Sequence, residues 1–192
     1  MSAGSPASLF PLFLKLAGRA VLVVGAGEIA ERKVLSLLEA GAVVRVVAPE
    51  ATPALQRLGA EGRLVWSARR FEEQDMADRW LVVAATGDPE TQRRVAAAAD
   101  AMRVFLLAVD DPPNASAYSG AVVRRPPFLI AISSSGATPA LTRVLREIIE
   151  QVLPGEDWVD YATALRARWI ADGVPIGERF ASLVRGLKDR AK

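Results

Sequence analysis

The 192-residue chain has no histidine and no cysteine. Without cysteine there is no thiolate nucleophile and no disulfide. Without histidine there is no imidazole base, and with both missing there is no His/Cys zinc site. Any acid–base chemistry falls to Asp, Glu, Lys or Tyr. An excess of one charge is also missing, since 24 basic and 22 acidic residues leave a net charge of +2. The basic residues are dispersed, which argues against nucleic acid or a membrane surface as a partner. No apolar window approaches a transmembrane span. Met1 to Ser8 is small and polar, is expected to form a disordered tail, and lacks the basic start of a signal peptide. Leu9 to Leu14 is too short and too interrupted by Pro11 to supply the apolar part of one. The missing cysteine fits a cytoplasmic protein.

Hydrophobic residues make up 51% of the chain, enough for the core of one full domain with an appendage. The stretch that organises it is Val21-Leu22-Val23-Val24-Gly25-Ala26-Gly27-Glu28-Ile29-Ala30. Four apolar residues read as a buried parallel strand. A glycine turn follows, and then a helical pattern to Glu39-Ala40, with Gly41 placed to end it. Strand, Gly-x-Gly-x-x-Ala and helix form a dinucleotide-binding fingerprint in its required context. Gly25 permits the tight turn, Gly27 lets backbone approach a pyrophosphate, and Ala30 lets helix pack on strand. The exposed N–H groups at the helix start, with Ala26 a further candidate in the turn, then face the phosphates. The bland alternative is a tight strand–helix turn that binds nothing.

A second strand, Val43 to Val47, ends at Ala48-Pro49-Glu50, where the adenosine ribose lies in this architecture. Glu50 is therefore a candidate ribose contact. No basic residue stands between Ala48 and Leu55 to receive a 2′-phosphate, so NAD is expected over NADP. Glu50 reads equally well as a solvated carboxylate at a helix start. Leu55 to Gly59 is expected as a short helix, Arg63 to Trp66 as a third strand, and Trp80 to Ala85 as a fourth. Thr86 and Gly87 follow at the cofactor edge and are binding candidates. Asp88-Pro89 opens the next helix as a cap pair. Val104 to Val109 is a fifth strand ending in Asp110-Asp111-Pro112. Asp110 is the best-placed carboxylate for chemistry. The alternative is a pair of turn-forming aspartates before prolines. Phe10 and Phe13, near the start, are expected to pack under the sheet.

After Asn114 the composition shifts. Ala121 to Val123 and Phe128 to Ile132 read as strands, followed by Ser133-Ser134-Ser135-Gly136-Ala137-Thr138-Pro139 and a helix to Val152. Thr138-Pro139 reads as a cap pair, or the loop, Ser134 included, as a ligand loop at a helix start. Two more helices are expected, Glu156 to Ala171 and Ile176 to Lys188. Leu141, Leu145, Ile148 and Ile149 form an apolar stripe on the first. This region is too small to stand alone and is expected to dimerise. The fold class is thus α/β, a Rossmann-type doubly wound parallel sheet with a small dimerisation region and a helical domain. Its expected limits are residues 1–112, 113–152 and 153–192.

Gly25 to Lys33, Leu37 to Ala42, Ala84-Ala85-Thr86-Gly87-Asp88, Val109-Asp110-Asp111-Pro112 and Ile130 to Pro139 together resemble the siroheme synthase N-terminal region, or precorrin-2 dehydrogenase (sirohydrochlorin ferrochelatase) family. So do Leu141 to Glu147 and Leu165 to Arg168. The resemblance implies NAD-dependent oxidation of precorrin-2 to sirohydrochlorin in a homodimer, with ferrous iron as a further substrate in some members. It places the family's catalytic aspartate on Asp110, which would also be the carboxylate open to metal. It places the glycine-loop contacts on Glu28 and Ile29 and the ribose-side contacts on Pro49 and Glu50. Precorrin-2 is rich in carboxylates, so Arg124, Arg125, Arg143, Arg146, Arg166 and Arg168 become candidate substrate partners. Solvated surface arginine is the plainer reading of any one of them. Leu107, Ala117 and Gly120 replace the Asn, Phe and Pro frequent in the family, near the tetrapyrrole pocket. The length leaves no room for the methyltransferase fused to some members, so uroporphyrinogen methylation is expected elsewhere. A competing reading is a cofactor-sensing module without turnover. A short-chain dehydrogenase is disfavoured because Tyr118 is followed by Val122, and Tyr161 by Leu165, where that class needs Lys.

Overall fold

The computed structural model describes residues 9–153 and 155–190. The tail expected at residues 1–8 lies outside them. The chain divides into two compact units. The first reaches Ser119 and takes in Ser135–Ala137; the second holds Gly120–Ser134 and continues from Thr138.

In the first unit, β1 (Ala20–Val24), β2 (Val43–Val47), β3 (Val65–Ser67), β4 (Leu81–Ala84) and β5 (Phe105–Ala108) form one sheet in the order β3-β2-β1-β4-β5. All of its pairings are parallel. Alternate residues point to opposite faces, and both faces are covered. Val21, Val23, Val44, Val46 and Val83 pack with Ala30, Val34 and Leu37 of α1 (Glu28–Glu39) and with Leu55 and Leu58 of α2 (Pro53–Ala60). Leu22, Val24, Val82, Ala84 and Leu106 pack on the other side with Val95, Ala98 and Ala99 of α3 (Pro89–Ala101). This is the doubly wound α/β arrangement, and β1 and β4 flank the point where the strand order reverses.

Helix ends account for most boundaries. Gly41, at φ +76°, closes α1: its N–H reaches Leu38 O at 2.9 Å, and the Ala42 N–H reaches Leu37 O at 3.0 Å. Arg103, at φ +55°, does the same for α3, with the Val104 N–H on Ala99 O at 2.9 Å. Asp88 caps α3, accepting from the N–H groups of Glu90 and Thr91 at 3.2 Å each. The third strand starts at Val65 rather than Arg63, because the Arg63 N–H is used to close α2 on Leu58 O at 3.0 Å.

The two phenylalanines are a correction. Phe10 and Phe13 are 85% and 65% exposed. Their segment has no regular structure, and the residue that enters the core there is Leu16.

The second unit pairs β6 (Ala121–Arg125) antiparallel with β7 (Phe128–Ile132) across a cis Pro126–Pro127 peptide. Against them packs α4 (Pro139–Val152); α5 (Glu156–Ala171) and α6 (Ile176–Arg190) pack on each other. Arg125 holds the end of α4, donating to Leu153 O at 2.6 Å and Glu150 O at 2.8 Å. Thr138 precedes Pro139 as expected, but its side chain makes no capping bond. Ser134 holds the residue ahead of the helix instead: its Oγ accepts the Thr138 N–H at 3.2 Å and lies 3.0 Å from the Thr142 hydroxyl.

Candidate functional site

The glycine turn lies at the reversal point because backbone there leaves no room for a side chain. A Cβ on Gly25, at φ +102°, would stand 2.2 Å from the carbonyl oxygen of Ala85. The turn after β1 is thus pressed against the turn after β4. Ala26 and Ala30 are buried beneath it. Gly27 is different, with open space where its Cβ would be. The first bond of α1 is from the Glu31 N–H to Gly27 O at 2.9 Å, so the N–H groups of Glu28, Ile29 and Ala30 have no partner within the helix. Glu28 and Ile29 are exposed beside that space.

The turn after β2 is tied to this loop by a residue that the sequence reading passed over. The Thr52 N–H donates to Ala26 O at 3.1 Å, and its hydroxyl donates to the Glu31 carboxylate at 2.6 Å. The same oxygen caps α2 by accepting the Leu55 N–H at 3.3 Å. Glu50 is therefore not the helix-start carboxylate: Thr52 fills that position, and Pro49 and Glu50 stand exposed ahead of it. A Ser or Thr just before a proline was the available signal.

At the other side of the reversal point a cleft of about 520 Å³ opens. Ile29, Thr86, Gly87, Gln92, Asp110 and Asp111 line it. The structure thus brings Ile29, Thr86, Gly87 and Asp110 together. Asp110 sits at φ +56°, left-handed and uncommon for a non-glycine residue. The two aspartates differ in their surroundings. Asp111 accepts from the Asn114 side chain at 2.7 Å, whereas no hydrogen bond or ion pair engages the Asp110 carboxylate among the described residues. Lys33, half-buried on α1, donates to the Ser119 hydroxyl at 2.6 Å. Burial of its ammonium, helped by Arg32, pulls its pKa below the usual lysine value, and the Asp110 charge pulls it back.

The candidate substrate residues belong to the second unit. Ser134 is engaged as described above. Arg143 pairs with Glu147 at 3.1 Å, and Arg146 with Glu150 at 2.7 Å, on their own helix. Arg124 is exposed on β6. Among the described residues there is no cluster of three or more metal-binding side chains, and no helix is long and apolar enough to cross a membrane.

Residues 12–121 match the model of a protein family described as "Putative NAD(P)-binding". The chain belongs to this NAD(P)-binding family. Over 171 residues it is 43% identical to "Siroheme synthase 3" of Aeromonas hydrophila subsp. hydrophila, a match that covers 88% of this chain and 36% of that protein. Over 162 residues it is 43% identical to "Siroheme synthase" of Xylella fastidiosa, covering 84% and 34%. The chain spans roughly a third of the length of these curated relatives. The solved structure "SirC, precorrin-2 dehydrogenase" matches with a TM-score of 0.73 at 24% identity, over 92% of this chain and 88% of that one. That likeness shows that the fold is shared.

The site of this NAD(P)-binding chain fits a dinucleotide. The open space at Gly27 and the unpaired N–H groups behind it suit a pyrophosphate. The Pro49 and Glu50 turn is exposed beside the glycine loop's partner Thr52, and the cleft at Thr86 and Asp110 has room for a ring.

Proposed function

We propose that the chain catalyses the NAD-dependent dehydrogenation of precorrin-2 to sirohydrochlorin, a step of siroheme and tetrapyrrole biosynthesis, with Asp110 as the catalytic base. The observation that carries this reading is the Asp110 carboxylate in the same cleft as Ile29, Thr86 and Gly87. The printed names of the relatives supply the substrate class. Gly25, Ala26, Gly27, Glu28 and Ile29 bind the pyrophosphate, and Glu50 with Pro49 takes the ribose side. Glu50 and the lack of a basic residue between Ala48 and Leu55 favour NAD over NADP.

When bound, the nicotinamide ring supplies the hydride acceptor. The Asp110 carboxylate takes the proton released as the substrate C–H bonds are converted to a double bond, and passes it to water. A carboxylate with no hydrogen bond or ion pair among the described residues is suited to this, and the chain has no imidazole for it. Arg124, Arg143, Arg146 and Ser134 are the proposed contacts for substrate carboxylates. For either arginine on α4 this requires exchange of a helix carboxylate for a substrate one. Ferrous iron is a second substrate, approached through Asp110. The active form is a homodimer in the cytoplasm; exposed Leu141, Val144, Leu145 and Ile148 on α4 support self-association.

The test is anaerobic turnover with enzymatically generated precorrin-2 and NAD, read as NADH and sirohydrochlorin absorbance, then repeated with ferrous ion. Asp110→Asn is expected to lower kcat by about 10²–10⁴-fold and to leave NAD affinity unchanged. NAD binding by the native chain without turnover would replace the enzyme with a cofactor-sensing module. Turnover without iron insertion would limit it to the dehydrogenase.

A further inference from the structure

Gln92 is a buried polar side chain to which the proposed reaction assigns no part. It projects from the first turns of α3 and is 5% exposed. Its Nε2 lies 3.5 Å from Ala84 O and 3.4 Å from Val109 O. These carbonyls end β4 and precede Asp110, and the Val109 N–H already bonds Ala84 O at 2.9 Å. The side chain thus bridges the two strand ends that form one wall of the cleft. Its orientation is fixed by chemistry, because the reversed amide would set an oxygen against two carbonyl oxygens. The consequence is that Gln92 Oε1 is buried with no hydrogen-bond partner.

A buried orphan acceptor destabilises a folded chain, and each one requires an explanation. Here the two donor contacts are also long, at the outer limit for N–H···O bonds. The carboxamide is loosely held on one end and unsatisfied on the other. It lines the cleft beside Thr86, Gly87 and Asp110. What it lacks is an N–H donor, and the described residues offer none.

We infer that Gln92 is a positioning residue that holds the Val109–Asp110 turn through Nε2 and turns Oε1 toward an N–H of the bound nicotinamide carboxamide. This rests on the cofactor reading above. Hydrogen bonding at Oε1 would fix the orientation of the ring over the cleft, while Nε2 keeps the base at its edge. One side chain would then set both halves of the reacting geometry.

The experiment measures binding of NAD and of ADP-ribose, which lacks the nicotinamide ring, to the native chain and to Gln92→Met, which keeps the shape and removes both polar atoms. Expected is an NAD dissociation constant raised about tenfold, with ADP-ribose binding unchanged. In turnover, kcat should fall more than the tetrapyrrole KM rises. ADP-ribose binding also reports that the variant is folded. If Gln92→Met does not fold, Gln92→Asn, whose amide is one methylene short of the same contacts, should show the same selective loss. Equal loss of both ligands, or loss of neither, would overturn the inference and leave the cofactor reading standing. A native chain that binds neither ligand would overturn both.

Discussion

The two units treat apolar side chains in opposite ways. In the first, the valines and leucines of the central strands β1 and β4 are sealed between helices on both faces, and Leu22, Val23, Leu55 and Val83 have no exposed surface. In the second, only Val123 and Thr142 are buried among the described residues. Its apolar residues face outward: Leu141, Val144 and Ile148 are about half exposed, and Phe180 is 74% exposed. The first unit has a core of its own. The second has a stripe at helical spacing without the packing that such a stripe ordinarily meets. A parallel sheet must be covered on both faces to exist, whereas a hairpin with helices can leave its packing to another surface.

The sharpest way to break the first unit is at its tightest point. Gly25→Ala adds a methyl group into the Ala85 carbonyl at a left-handed position, and is expected to cost about 3–5 kcal/mol and to abolish cofactor binding. Thermal unfolding and NAD titration would show both. A paired truncation tests the contrast directly. Leu55→Ala should lower stability by about 2–5 kcal/mol. The same change at Leu145, 40% exposed, should alter monomer stability by less than about 0.5 kcal/mol but weaken self-association. Denaturant melts and sedimentation at several concentrations separate these effects, and equal losses at both positions would erase the distinction. The smallest expected effect lies at the end of α3. Arg103 occupies the left-handed position that Gly41 fills in α1, so Arg103→Gly should stabilise the first unit by up to about 1 kcal/mol, seen as a higher Tm.

The sheet was legible because its strands announce themselves. Val21 to Val24 and Val43 to Val47 are continuous apolar runs between glycine and proline signals, and the parallel order follows from alternation with helices. Asp110 was legible as an edge carboxylate for the same reason: it is the first polar residue after the apolar run Phe105 to Val109. What stayed hidden depends on contacts distant in sequence. The tie from Thr52 to Glu31 spans 21 residues. Ser134 reaches across the loop to the Thr138 N–H and the Thr142 hydroxyl. Gln92 gave no pattern at all, because a lone glutamine on a helix reads as surface until its neighbours are known. Phe10 and Phe13 misled for the converse reason. Aromatic residues read as core, but a segment without strand or helix geometry has no fixed face to present to one.

Thr52 has a consequence for the energetics of recognition. Its two bonds join the turn that would flank a ribose to the turn that would cradle a pyrophosphate. Loops stitched together in this way sample few shapes before a ligand arrives. Their disorder is lost once, when the chain folds, and little is left to lose at association. In the proposed site, the adenosine side is a mould set when the chain folds, and affinity there would not wait on a gate closing.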